Sequence, residues 1–173
     1  MNKKFLALMI ASMTVLGASS AMAQNSSSLR INGVITASSC DVDTTGLTSV
    51  SLPSVTQKDF KGKGSSAGEK HFNISVTECP NTVSAVQVKV SGTADSTDSN
   101  LLAIDSGEGM AEGIAIAFGA QGQPLAVNDS VGIPKPVKNG ATEFDMTAKY
   151  VATSDVVTSG GISASAQINL VYL

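Results

Sequence analysis

Apolar and polar residues alternate along the last twelve residues of the chain, 162–173. The even-numbered positions are apolar, and the odd-numbered positions are polar until Val171 and Leu173. A period of two over this length predicts a half-buried β-strand. Because the sequence stops there, we expect one edge of this final strand to need a neighbour that its own chain does not supply.

Similar alternation recurs in shorter segments between Gly-, Asn- and Asp-containing turns. We predict strands at 29–40, 47–52, 72–79, 85–90, 101–104, 114–118, 125–127 and 142–153. No segment after the N-terminal region has helical periodicity. The pattern predicts an all-β sandwich. Residues 58–70, rich in Lys and Gly, are interpreted as a mobile surface loop, and residues 40–46 as a turn.

The first 23 residues have the features of a secretory signal. Basic Lys3 and Lys4 precede an apolar run at 5–16, and Ala21-Met22-Ala23 provides a small-x-small cleavage site. The apolar run is too short for a transmembrane anchor. Cleavage after Ala23 would leave 150 residues with nine basic and 14 acidic side chains, a net charge of −5. This charge and the lack of Trp argue against a nucleic-acid partner.

Two cysteines remain, Cys40 and Cys79, 39 positions apart. In an exported protein an even number of cysteines predicts a disulfide. Closing a loop of this size would stabilise the fold by roughly 4 kcal/mol in the chain-entropy model. A metal or reactive-thiol pair is disfavoured because there is no CxxC spacing and no nearby histidine cluster.

Five segments, taken in order, are similar to pilin subunits of chaperone–usher fimbriae of the type 1 family. They are LRING before Cys40, VSLPSV at 50–55, FNISVTEC at 72–79, FDMTAKYVAT at 144–153, and the final strand with its penultimate Tyr172. Each is weak alone, but their order, the cysteine spacing and the export signal together are specific to that family.

The resemblance implies an incomplete immunoglobulin-like sandwich, a six-stranded core that lacks its final strand and is completed by a donated one. Residues 36–173 would form this pilin domain, and 24–35 the donor-strand extension that fills the groove of a neighbouring pilin subunit. It also implies a periplasmic pilus chaperone that completes the fold before assembly, an outer-membrane usher, and a fimbrium on the bacterial cell surface as the destination.

The same resemblance assigns roles to residues at both ends of the chain. Leu29, Ile31 and Ile35 would be the donor side chains, and Gly33 would match a position where the groove is too shallow for a side chain. The acceptor-groove and chaperone-facing strand would present Ile168, Leu170 and Tyr172. The leader before Leu29 is short, and Ile31 stands where many members have an aromatic residue.

The sequence leaves three classes of function to compare. A structural pilin is the favoured interpretation, and a minor, terminating or adhesive tip subunit is the alternative. Tip adhesins of this family usually have an extra receptor-binding domain, for which 150 residues leave no room. An enzyme is not expected, because His71 is the single histidine and there is no GxSxG or phosphate-loop motif. No cofactor and no metal is expected.

Overall fold

A computed structural model describes residues 40–43 and 49–173. The proposed signal, 1–23, and the proposed donor extension, 24–35 with Leu29, Ile31, Gly33 and Ile35, lie outside the described residues. Within the described part, no helix is long and apolar enough to cross a membrane.

The described residues form nine strands and one short 3-10 helix, Gln57–Asp59. The strands are β1 (Asp41–Asp43), β2 (Ser66–Thr77), β3 (Ala85–Gly92), β4 (Leu102–Ala103), β5 (Ile114–Ala120), β6 (Gln123–Leu125), β7 (Ile133–Pro136), β8 (Thr142–Ala152) and β9 (Ala166–Tyr172).

Two antiparallel sheets enclose the core. The larger sheet has the order β1-β2-β8-β5-β4, with β6 added beside β5, and the smaller sheet has the order β7-β3-β9. Alternate residues of the long strands face inward, as the period of two predicts. The largest fully buried side chains come from β2, β3, β4 and β8: Ile74, Val76, Val86, Val88, Val90, Leu102, Phe144 and Met146.

A disulfide joins Cys40 to Cys79 at one end of the larger sheet. The bond connects the residue before β1 to the chain just after β2, where Asp41 pairs with Thr77. Both cysteines are buried. The cross-link therefore fixes the start of the described domain to one of its longest strands.

Several strand boundaries differ from the sequence predictions. The chain at 41–43 is a strand rather than a turn, because Val42 pairs with Val76. The segment 58–70 is not a loop throughout, since β2 begins at Ser66. Gly68 has φ +65° and lies at a register shift in β2. Because residues 58–70 are rich in Lys and Gly, the start of this strand was mistaken for part of a loop. The described part of the predicted strand at 47–52, residues 49–52, is not in a strand.

The final strand is shorter than predicted, and β7, like β1, was not predicted as a strand. Residues 162–165 precede β9 and hydrogen-bond to a loop instead, with Asp105 N donating to Ser163 O at 2.7 Å. β7 was missed because two of its four residues are proline, which disfavours strand formation everywhere except at a sheet edge.

Candidate functional site

β9 lies at one edge of the smaller sheet and pairs with β3 alone. Leu173 and Ala85 exchange backbone hydrogen bonds, N to O at 2.9 Å and 3.3 Å. Because hydrogen-bonded pairs alternate in an antiparallel ladder, Gln167, Asn169 and Val171 also point their backbone groups at β3.

The intervening residues therefore present their backbone groups to the opposite side. These are Ala166, Ile168, Leu170 and Tyr172, whose N–H and C=O groups have no strand partner within the described residues. The last strand thus has an open edge of the kind that can pair with an added strand.

The side chains of β9 point in two directions with the same period. Ile168, Leu170 and Tyr172 are half-buried and pack against the core, whereas Val171 is 37% exposed on the outer face. Side-chain direction and hydrogen-bond direction both repeat every two residues in a strand. The same three residues consequently contribute apolar side chains and unpaired backbone groups to one site.

A groove of about 310 Å³ opens between this edge and the larger sheet. Its floor is formed by four strands of the larger sheet, β2, β4, β5 and β8, through Phe72, Leu102, Ile116, Phe118 and Ala148. One side is formed by Ala164, Ala166 and Ile168, and the other by Ser49, Val50 and Leu52. Phe72 and Phe118 are half-buried, so the core is open to solvent along this groove.

A second pocket of about 340 Å³ lies against the chain just before β9. Val55, Phe60 and Ile162 give it an apolar lining, and Gln57 Nε2 donates to Val157 O at 2.8 Å across it. We call the two pockets together the β9 groove.

The segment beside the second pocket is held by a local hydrogen-bond pair. Asp59 Oδ2 accepts from Thr56 N at 2.7 Å and from Thr56 Oγ1 at 2.9 Å. The backbone hydrogen bond, followed by the side-chain one, lowers the pKa of Asp59 below its ordinary value. This capping arrangement fixes the short helix that follows Val55.

His71 lies on the exposed outer face of the larger sheet, away from the β9 groove. Its Nδ1 is 3.1 Å from Asp145 Oδ1 and its Nε2 is 3.5 Å from Glu69 Oε1. Among the residues that the structure describes, no group of three His, Cys, Asp or Glu side chains could hold a metal ion.

The structure brings together one half of the site predicted from the sequence. Ile168, Leu170 and Tyr172 lie along the open edge, and Cys40 and Cys79 are bonded to each other. Sequence reasoning missed the floor of the groove, which includes Phe118. The alternation of β5 indicated that the side chain of Phe118 faces inward, but it could not show that this side chain borders an opening.

The fimbrial protein family model matches residues 29–172. The chain belongs to the fimbrial protein family. It is a fimbrial pilin subunit, and its family is one of structural, non-enzymatic proteins. It is 30% identical over 146 residues to long polar fimbria protein A of Salmonella typhimurium, with 83% of this chain and 82% of the relative covered.

Solved structures of pilins share the fold of this pilin. A Burkholderia pseudomallei antigen and type I fimbria protein is 31% identical, with a TM-score of 0.57, and the match covers 79% of this chain and 91% of that one. The P pilus rod subunit PapA is 21% identical with a TM-score of 0.65, covering 79% and 100%. The predicted all-β, immunoglobulin-like fold is confirmed.

Proposed function

We propose that this pilin polymerises by strand donation, with residues 24–35 of one subunit filling the β9 groove of the next. A periplasmic chaperone would occupy the same groove first, and an outer-membrane usher would direct the exchange at the cell surface. The observation that carries the proposal is the coincidence of unpaired backbone groups and a half-buried apolar face on Ile168, Leu170 and Tyr172.

The backbone of β9 supports addition of a strand. Its outward N–H and C=O groups extend over residues 166–172, a length sufficient for a ladder with the seven-residue donor core 29–35. Each backbone hydrogen bond formed in this way contributes about 1 kcal/mol net. An extended peptide that adds to a sheet edge gains affinity from these bonds and specificity from alternate side chains.

The side chains of the proposed donor match the apolar lining of the groove. Leu29, Ile31 and Ile35 recur with a period of two, so they would face the same side of an extended strand. Each such side chain contributes about 1.5–3 kcal/mol when it is fully buried. Half-buried Phe72 and Phe118 would lose their remaining exposure as the donor covers them.

The experiment that tests this proposal fuses a second copy of residues 24–35 to the C-terminus of the mature chain through a short linker. We expect the denaturant midpoint of the fused protein to rise, because the added strand completes the core. A matched control carries the same fusion with Leu29, Ile31 and Ile35 of the copy replaced by Ser. Equal midpoints for the fused and the control proteins would contradict strand donation.

A second variant tests the role proposed for Gly33. Replacing Gly33 of the fused copy with Leu should reduce the gain in stability, since a bulky side chain would be forced against a shallow part of the groove. The matched control is Asn32→Leu in the same copy, which adds a side chain of the same kind to the opposite face of the donor strand. Equal midpoints for Gly33→Leu and Asn32→Leu would remove the assignment of Gly33.

A further inference from the structure

We propose that Pro134 and Pro136 confine strand addition in the smaller sheet to β9, by leaving the opposite edge of that sheet without outward N–H donors. The proposal rests on the strand-acceptor role of β9 and concerns the other edge strand, β7. Both prolines are exposed, and β3 is the sheet neighbour of β7.

The register of β7 places both prolines outward. Val137 N donates to Ser84 O at 3.0 Å, and the register continues antiparallel along β3. Since hydrogen-bonded pairs alternate, the odd-numbered residues of β7 face β3 and the even-numbered ones face solvent. Pro134 and Pro136 occupy the even positions, where the missing N–H removes no hydrogen bond to β3.

Lys138, the next outward residue after Pro136, also has no free N–H group. Lys138 N donates to Ala141 O at 2.9 Å in the turn that leads to β8. From Ile133 to Lys138, the outward edge therefore presents carbonyl groups and no available N–H. A strand that approached this edge could donate hydrogen bonds but could not receive any.

A close backbone contact fixes the start of β7 in this register. A Cβ atom on Gly132 would lie 2.1 Å from Val88 O, so a larger residue would push the chain away from β3. Gln87 Nε2 of β3 also donates to Gly132 O, at 3.0 Å. Glycine at 132 therefore permits the close approach of the chain to β3 that the register of β7 requires.

Two edge segments of the larger sheet are protected as well. Pro124 is the middle residue of β6, and the two-residue turn before β6 puts it at an outward position. The outer side of β4 is covered, with Ala103 N donating to Thr93 O at 2.8 Å. Proline at an outward position therefore occurs on edge strands of both sheets, whereas β9 has no proline between Ala166 and Tyr172.

The test restores the two N–H groups of β7 while the β9 groove is filled. In the mature chain with the fused copy of residues 24–35, Pro134 and Pro136 are both replaced by Val. We expect the mass measured by light scattering to rise toward twice the monomer value with concentration, because two unblocked β7 edges can pair. The fused parent and the matched Pro80→Val variant, whose proline lies outside the strands, should stay monomeric.

A double variant that stays monomeric would overturn the proposal. If the double variant does not fold, Pro134→Val and Pro136→Val are measured singly, and monomers in both cases would overturn it equally. Hydrogen exchange adds a direct check, since the new amides at 134 and 136 should be protected in the dimer. Strand donation itself is judged separately, by the stability gained from the fused copy.

Discussion

The two edges of the smaller sheet differ in what their backbones offer to another chain. On β9, the outward positions are Ala166, Ile168, Leu170 and Tyr172, each with an N–H group and a carbonyl group. On β7, the corresponding positions are proline. Two strands that flank the same neighbour therefore have opposite capacities for pairing, and the difference arises from residue type at alternate positions.

The edges also differ in how they close the sandwich. Lys135 of β7 donates through Nζ to the backbone carbonyl of Glu143 on β8, so a side chain connects the two sheets on that side. On the β9 side the space between the sheets is the groove lined by Phe72 and Phe118. A partly exposed core and an open edge therefore occur together on the β9 side, whereas the β7 side has a side-chain link and a proline-bearing edge.

The largest effect is expected from a charge placed in the groove. Ile168→Asp should weaken binding of a synthetic peptide of residues 24–35 by at least roughly thirtyfold, because burying a carboxylate without a partner costs at least about 2 kcal/mol. Val171→Asp is the matched control, since Val171 is on the exposed outer face of the same strand. Peptide affinity, measured by calorimetry on the mature chain, distinguishes the two. Equal losses would mean that the faces of β9 are not distinct.

A smaller effect on peptide binding is expected when an outward position of β9 is replaced by proline, as at Pro134 and Pro136 of β7. Ala166→Pro removes an outward N–H and should weaken peptide binding by about 1 kcal/mol, the net value of one hydrogen bond. Gln167→Pro removes an N–H in the ladder with Ser91, so it should lower the unfolding free energy of the peptide-free subunit instead. Denaturant unfolding with and without peptide measures both. If the two variants behave alike, the assignment of inward and outward positions is wrong.

The smallest effect is expected from Tyr150, a core residue, on the pH dependence of the unfolding free energy. Burial raises the pKa of Tyr150 on β8 above its ordinary value of 10.0, so the folded state favours the protonated phenol. The stability that this provides is complete below the unfolded pKa and is lost as pH rises through the folded pKa. Unfolding free energy measured from pH 8 upward should therefore fall above about pH 10. Tyr150→Phe should show a shallower fall, and an identical pH profile would contradict the role of Tyr150.

Much of the fold could be predicted because burial on one face imposes a period of two. β8 was predicted at 142–153 and spans Thr142–Ala152, since Phe144 and Met146 alternate with polar residues along its whole length. The same rule failed at 162–165, where the alternation continues but Ser163 O accepts a hydrogen bond from the loop residue Asp105. Alternation reports which side chains are buried and does not report which backbone groups are paired.

The open edge could be predicted, but the protected one could not. The apolar face of the final strand follows from its alternation, which is visible in one sequence. Pro134 and Pro136 remove only outward N–H groups, and this depends on the register of β7. Proline at the odd positions would instead remove hydrogen bonds to β3. Register is set by contacts such as that of Gly132 with Val88, which are distant in the sequence.

The pairing of β3 with β9 has a consequence for the order in which the chain folds. Val86 pairs with Tyr172, so this ladder joins segments that are far apart in the sequence and must close a long loop. Such non-local pairing slows folding and leaves apolar strands unpaired for longer. The smaller sheet cannot be completed until residues 166–172 have been synthesised and are free to fold. Until β9 has joined the sheet, Val86, Val88 and Val90 lack this neighbour, and their apolar strand is open to aggregation.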